Sequence, residues 1–317
     1  MILISKVRLN STLLFLFICI PYGLILYSLP LTIFLDRTYY LEYAASSEFI
    51  LINYYLSGGV VSVFFNEPLW LLINMTLSLS FQPEQIVRII ILFSSVLFSF
   101  SLAKKLGSKN FLLVLLILLF PQVLQNYITH LRQGLALSVF MYGILNTKRA
   151  KLYTLFAALI HSSFYFILFF QLLEIILVKM RLSFHLKVMA YFISSVFLIT
   201  VVDSVASLIG DRRGGQYSSE DIQVSGLGWI FWLVFFFLLL LRNFPLFKKP
   251  NGALPIFIFY LTSYFSLAFV ARIFESILPY ILTGLKDLKP KYYYLLFGLL
   301  FSFCVAQWIL FGNSFLI

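Results

Sequence analysis

Apolar positions along this chain gather into long runs separated by short polar or basic groups. Charge-free windows at 9–35, 110–131, 152–173, 222–241, 250–271 and 292–317 are each long enough to cross a bilayer as a helix, which takes about 20 mainly apolar residues. Shorter windows at 89–103, 133–147 and 188–202 reach that length if the flanking Lys and Arg side chains extend to the headgroups. Residues 49–66 and 68–83 are also apolar, but Gly58, Gly59, Glu67 and Pro68 interrupt them. The largest polar segments are 36–48 and 203–226. No stretch reads as a separate soluble domain, and no internal repeat is evident.

Composition turns this pattern into a fold class. The chain of 317 residues is 62% hydrophobic and 11% charged, against roughly 45–50% and about 25% in a soluble globule. So few polar groups cannot cover a water-facing surface, so most of the outside must face lipid. Net charge is +11, from 23 Lys+Arg against 12 Asp+Glu. In a soluble protein this balance points to nucleic acid. Here the basic residues fall between apolar runs, as Lys148, Arg149 and Lys151 do, which is the pattern of cytosolic flanks and excludes a nucleic-acid partner. Cys19 and Cys304 lie in separate apolar stretches and form no disulfide scaffold or cysteine-rich metal site.

Lys6 and Arg8 precede the run from Leu9 to Leu35, which is longer than a signal-peptide core. It reads as a retained first helix with a cytosolic N-terminus. The basic groups at 6–8, 104–109, 148–151, 179–187, 242–249 and 286–291 then fall on the cytosolic side. Matching parity makes 59–80 a dipping or broken element and 110–131 and 133–147 an outward and return pair; either 152–178 is a broken hairpin with His161 near its tip, or the positive-inside rule fails at 179–187. The expectation is an all-α polytopic membrane protein, a single membrane domain over 1–317. It has about seven full crossings, about three short or broken elements (8–11 helical segments) and outer loops near 36–58 and 207–226. Irregular backbone at membrane depth is tolerable only where protein or a polar cavity covers it. Such breaks mark substrate sites in transporters and are equally expected of an enzyme cavity.

That topology gathers Asp36, Arg37, Glu67, His130, Arg132, Gln133, His161, Arg212, Arg213 and Arg272 on the outer side. Arginine there is not an ordinary cytosolic anchor. A guanidinium fork matches phosphate oxygens, so Arg132 and Arg272 are candidates to grip one pyrophosphate, with Arg212 and Arg213 beside them. The bland alternative is that each extends to the interface or pairs with a carboxylate. Glu67, directly before Pro68 in apolar surroundings, must be paired or cavity-exposed, or it must take up a proton more readily than usual. Each condition suits a base or an orienting group; a helix-start carboxylate is the simpler reading. His161, followed by Ser162 and Ser163, suits a base or a phosphate donor, or a buried interhelical histidine. Asp36, Tyr40 and Gln133 are candidates for lining a substrate cavity. Tyr39, Tyr43, Trp70 and Trp229 serve equally as sugar platforms or interface anchors. No HExxH, Cys/His cluster, Walker A or dinucleotide glycine pattern occurs, so no metal and no cofactor are expected.

At these residues the chain resembles the EpsG family of bacterial polysaccharide polymerases, related in role to the Wzy-type O-antigen polymerases. Asp36 with Tyr39 and Tyr40 follows the first helix. Asn66-Glu67-Pro68-Leu69-Trp70 resembles the family's Glu-Pro-aromatic segment. Arg132-Gln133-Gly134-Leu135-Ala136 is followed, after a basic turn, by Ala158-Leu159-Ile160-His161-Ser162-Ser163, and Arg272 lies at a late helix end. Asp36-Arg37-Thr38 is a looser match, and the tail beyond about residue 285 carries no signature. The resemblance implies a glycosyltransferase of the bacterial inner membrane that joins undecaprenyl-pyrophosphate-linked repeat units at the outer face. It needs no nucleotide sugar or metal, and its partners would be a flippase and a chain-length regulator. In it Arg132 and Arg272 would hold the pyrophosphate, and Glu67 or His161 would be the base, with Glu67 slightly preferred. A flippase for the lipid-linked glycan and an O-antigen ligase-type glycosyltransferase are the competing functions.

Overall fold

The computed structural model describes residues 15–31, 33–55, 63–209, 226–267 and 269–316. Among them the secondary structure is helical and contains no strand. Hydrocarbon favours this outcome, because a helix satisfies its own backbone groups. A π-helical turn, Phe15–Cys19, leads into α1 (Ile20–Ser28). There follow α2 (Leu35–Ala45), α3 (Ser47–Ile50), α4 (Pro68–Ser78), α5 (Pro83–Leu106), α6 (Phe111–Leu119), α7 (Pro121–Ile128), α8 (Leu131–Asn146) and α9 (Ala150–Ile160). The remainder are α10 (Phe164–Lys179), α11 (Phe184–Ile209), α12 (Leu227–Leu241), α13 (Ala253–Ser263), α14 (Val270–Thr283) and α15 (Pro290–Leu316).

Among the described residues three elements are long and apolar enough to cross a membrane: α5, the Phe184–Val201 part of α11 and the Pro290–Leu310 part of α15. The α6–α7 pair makes a fourth if it counts as one span, although it is bent by 61°. Pro121 explains the bend, since a proline at a first helical position starts a new helix rather than continuing the old one. Other apolar windows resolve into shorter helices, among them α4, α9, α12 and α13. An 11-residue helix such as α4 is about 17 Å long, short of the ~30 Å hydrocarbon core. Seven full crossings were expected; three or four elements meet the length and apolarity of a span. Two of the expected breaks are found, at Glu67, where α4 starts, and at His161, where α9 stops. The segment at 36–48, expected as a loop, is helical instead. The first fourteen residues, with Lys6 and Arg8, and most of the 207–226 segment lie outside the described residues.

The chain divides into two compact units. One comprises Met1–Ser57, Glu67–His161 and Phe297–Ile317, the other Gly58–Asn66 and Ser162–Leu296. In the first unit α5 is central, with α1, α2 and α8 packed on it. It starts at Pro83 behind a capping box of Gln82 and Gln85 and ends at Gly107, after Lys104 and Lys105. Small residues let the neighbours approach, as is usual between helices in lipid. A Cβ at Gly23 would stand 2.5 Å from Val96 on α5, and one at Gly143 of α8 would stand 2.1 Å from Tyr153 on α9. A polar thread crosses this interface, where the Ser138 hydroxyl of α8 donates to the Ser94 carbonyl of α5 at 2.7 Å.

The second unit is held by aromatic packing around α13. Phe257 lies 4.9 Å from Phe274 and 5.0 Å from Phe236, while Tyr260 stacks on Phe274 at 4.2 Å. A buried carboxylate there, Glu174 of α10, accepts the Gly252 amide at 2.9 Å and thereby caps the start of α13. Gly252 needs its left-handed φ of 86° there. Gln171, one turn earlier on α10, donates to the Asn251 carbonyl at 3.1 Å.

Candidate functional site

Glu67 precedes α4 and takes a left-handed backbone conformation, φ 63° and ψ 54°. Pro68 contributes to this, because a proline drives the residue before it away from the right-handed α region. A left-handed conformation costs a residue with a side chain about 1–2 kcal/mol, a strain that collects at functional sites. His161 ends α9 in an extended conformation, and its amide donates to the Ala157 carbonyl at 2.8 Å. Arg132 is the second residue of α8, which begins after His130.

These three positions are distant in sequence and meet in the first unit. One Glu67 oxygen, Oε2, accepts from Arg132 Nη1 at 2.5 Å, and the other, Oε1, lies 2.6 Å from His161 Nδ1. An ionised carboxylate can only accept, so this contact suits a His161 tautomer that carries its proton on Nδ1. Glu67 is 4% exposed and His161 7%, while the Arg132 side chain keeps 25% exposure. The carboxylate is thus enclosed, and the Arg132 side chain is the partly exposed member of the trio. Arg132 also lies over the Tyr40 ring, 5.8 Å from its centroid. Tyr40 in turn makes an edge-to-face contact with buried Trp70 at 5.6 Å.

A second polar pair flanks the trio. Asp36 of α2 lies 3.2 Å from His130 Nδ1, and its side chain is 45% exposed. Asp36 and Tyr40 are four residues apart on α2 and so share a face. Next to Asp36, Arg37 is fully buried. It donates Nε to the Ile128 carbonyl at 2.8 Å and Nη1 to the Pro30 carbonyl at 3.0 Å, joining the ends of α1 and α7 to α2. Burial, with the charge of Arg88 added, pulls its pKa down to about 10, so it stays protonated at neutral pH. Its role is architectural, which the sequence did not disclose. The carbonyl groups it satisfies leave no mark in the residue pattern.

Of the other sequence candidates, Gln133 is buried as the third residue of α8. Arg272 belongs to the second unit, where it is exposed as the third residue of α14. Arg212 and Arg213 lie outside the described residues. The Glu67 carboxylate is shared between a guanidinium and an imidazole, a geometry suited to orienting them. No group of three or more His, Cys, Asp or Glu able to hold a metal occurs among the described residues.

Neither a curated protein nor a solved structure matches the chain. The family model described as EpsG matches residues 37–316, an interval that contains Glu67, Arg132, His161 and Arg272. EpsG-type proteins are Wzy-like polymerases. With nearly its whole length matched, the chain belongs to the EpsG family.

Proposed function

We propose that this protein polymerises undecaprenyl-pyrophosphate-linked oligosaccharide repeat units at the outer face of the bacterial inner membrane. The family and the apolar helices set the broad frame, a membrane protein of polysaccharide biosynthesis. The observation that carries the finer reading is the single enclosed carboxylate of Glu67 bridging Arg132 and His161.

The transfer breaks the bond between an anomeric carbon and a pyrophosphate oxygen and forms one to an acceptor hydroxyl. The hydroxyl must lose a proton, and the pyrophosphate must leave with the bonding electron pair. His161 with Nδ1–H donated to Glu67 carries its lone pair on Nε2, which makes that nitrogen the base. Glu67 fixes the tautomer and stabilises the imidazolium as it forms, the part a carboxylate plays in a Ser-His-Asp triad. Arg132 gives one of its five N–H donors to Glu67 and sets the rest of its charge against the leaving pyrophosphate. Tyr40, buried beside the guanidinium and braced by Trp70, holds the Arg132 side chain in place.

The test is reconstitution of the purified protein with lipid-linked repeat units, read as glycan chain length. Wild type should give a ladder of chains, while Glu67→Gln, His161→Ala and Arg132→Ala, shown to be folded, should lose at least ~10²-fold in rate. Full polymerisation by Arg132→Ala would sink the arginine role. Movement of lipid-linked glycan across the bilayer without new glycosidic bonds would replace the polymerase by a flippase.

A further inference from the structure

The second unit contains a cavity that the transfer chemistry does not use. It has a volume of about 750 Å³ and is walled by Phe184, Val188 and Met189 of α11 with Leu240, Phe244 and Phe247 at and beyond the end of α12. Its polar lining is His185, Asn243 and Lys248, all exposed, with no acidic side chain among them. The two segments that supply it, 179–187 and 242–249, add Lys179, Arg181, Lys187, Arg242 and Lys249 and contain no Asp or Glu. The membrane-crossing part of α11 begins at Phe184. The cavity therefore lies within the first turns of a span, where hydrocarbon gives way to headgroups.

From this we infer a specific site for an anionic phospholipid, with one acyl chain in the cavity and the phosphate headgroup on Lys248 and His185. Apolar walls alone would accept any lipid tail. The basic rim selects the head, since Lys/Arg groups between membrane helices at the cytoplasmic boundary bind anionic headgroups. The volume falls within the ~300–1,000 Å³ of built ligand sites, while the far longer chain of a polyprenyl carrier would overflow it. The positive-inside pattern of 179–187 and 242–249 places this lipid in the cytosolic leaflet, away from the outer face proposed for polymerisation. The site does not depend on that reading.

The full chain in neutral detergent, titrated with phosphatidylglycerol or with phosphatidylcholine of the same chain length and read by native mass spectrometry, tests this. Phosphatidylglycerol should be retained over phosphatidylcholine, and Lys248→Gln should weaken its retention by about fivefold. Met189 lines the cavity and is 58% exposed, so Met189→Trp should be tolerated; its larger ring narrows the cavity with the basic rim intact and should weaken retention. Lys104→Gln with Lys105→Gln, at the basic end of α5, should leave retention unchanged. Equal retention of the two lipids, or retention indifferent to both Lys248→Gln and Met189→Trp, overturns the site. Displacement of bound phosphatidylglycerol by equimolar undecaprenyl phosphate overturns it too and assigns the cavity to the carrier lipid.

Discussion

A carboxylate that accepts from a guanidinium on one oxygen and an imidazole on the other cannot be removed without stranding both. Breaking a buried pair from one side costs about 3–5 kcal/mol. The quarter exposure of the Arg132 side chain puts Glu67→Ala toward the lower end of that range. The backbone at Glu67 sharpens the prediction. Glycine takes φ 63° at little cost, so Glu67→Gly should unfold at a higher temperature than Glu67→Ala, by about 1 kcal/mol in stability. The opposite order in thermal unfolding would mean that position 67 is not held left-handed. Arg132→Lys keeps a charge but loses the planar fork. Its expected signature is polymerisation reduced by about 10²-fold with folding intact, read from chain length in the reconstituted assay. Much of this site was legible in the sequence, because a charge inside an apolar run demands a partner. Which partner was not legible: Glu67 meets Arg132 across 65 residues and His161 across 94, and no local pattern encodes such a meeting.

The elements that hold the trio are set by how closely helices approach. α8 carries Arg132 and packs against α9, which ends at His161, with Gly143 at their contact. Gly143→Ala would drive a methyl group into the Tyr153 side chain, and Gly134→Ala would drive one into the Asn126 carbonyl, 2.1 Å away. Each should cost about 1–3 kcal/mol by overpacking. Gly143→Ala should also lower activity, because it shifts α8 against α9. Gly228→Ala on α12 meets open space and should be neutral or slightly stabilising in the same thermal-unfolding assay. At this scale the sequence was only partly readable. Long windows such as the one within α5 were found, but the bend at Pro121 and the helices of 35–55 were not. Hydropathy registers what faces lipid; a short helix packed on other helices draws its stability from those contacts and needs no 20-residue apolar run.

For the whole molecule the testable quantity is which ends face the cytosol. Cys19 and Cys304 are both buried, so the native chain gives little background to a thiol-reactive probe. Asp36→Cys should react with a membrane-impermeant maleimide in intact spheroplasts, and Lys248→Cys only after lysis. Reaction of Asp36→Cys only after lysis would overturn the outer-face placement of the trio, and reaction of Lys248→Cys from outside would remove the basic rim from the cytosolic leaflet. The distances at the trio also bear on biosynthesis. Chains emerge from the N-terminus first, so α4 is made with its acidic residue well before either group that neutralises it. Until the sequence through His161 has been threaded into the membrane, that residue is held at the aqueous boundary, because bare charge is expelled from hydrocarbon. The first unit therefore closes late in insertion. Nascent chains arrested short of residue 161 should remain open to protease around α4, and those arrested beyond it should not.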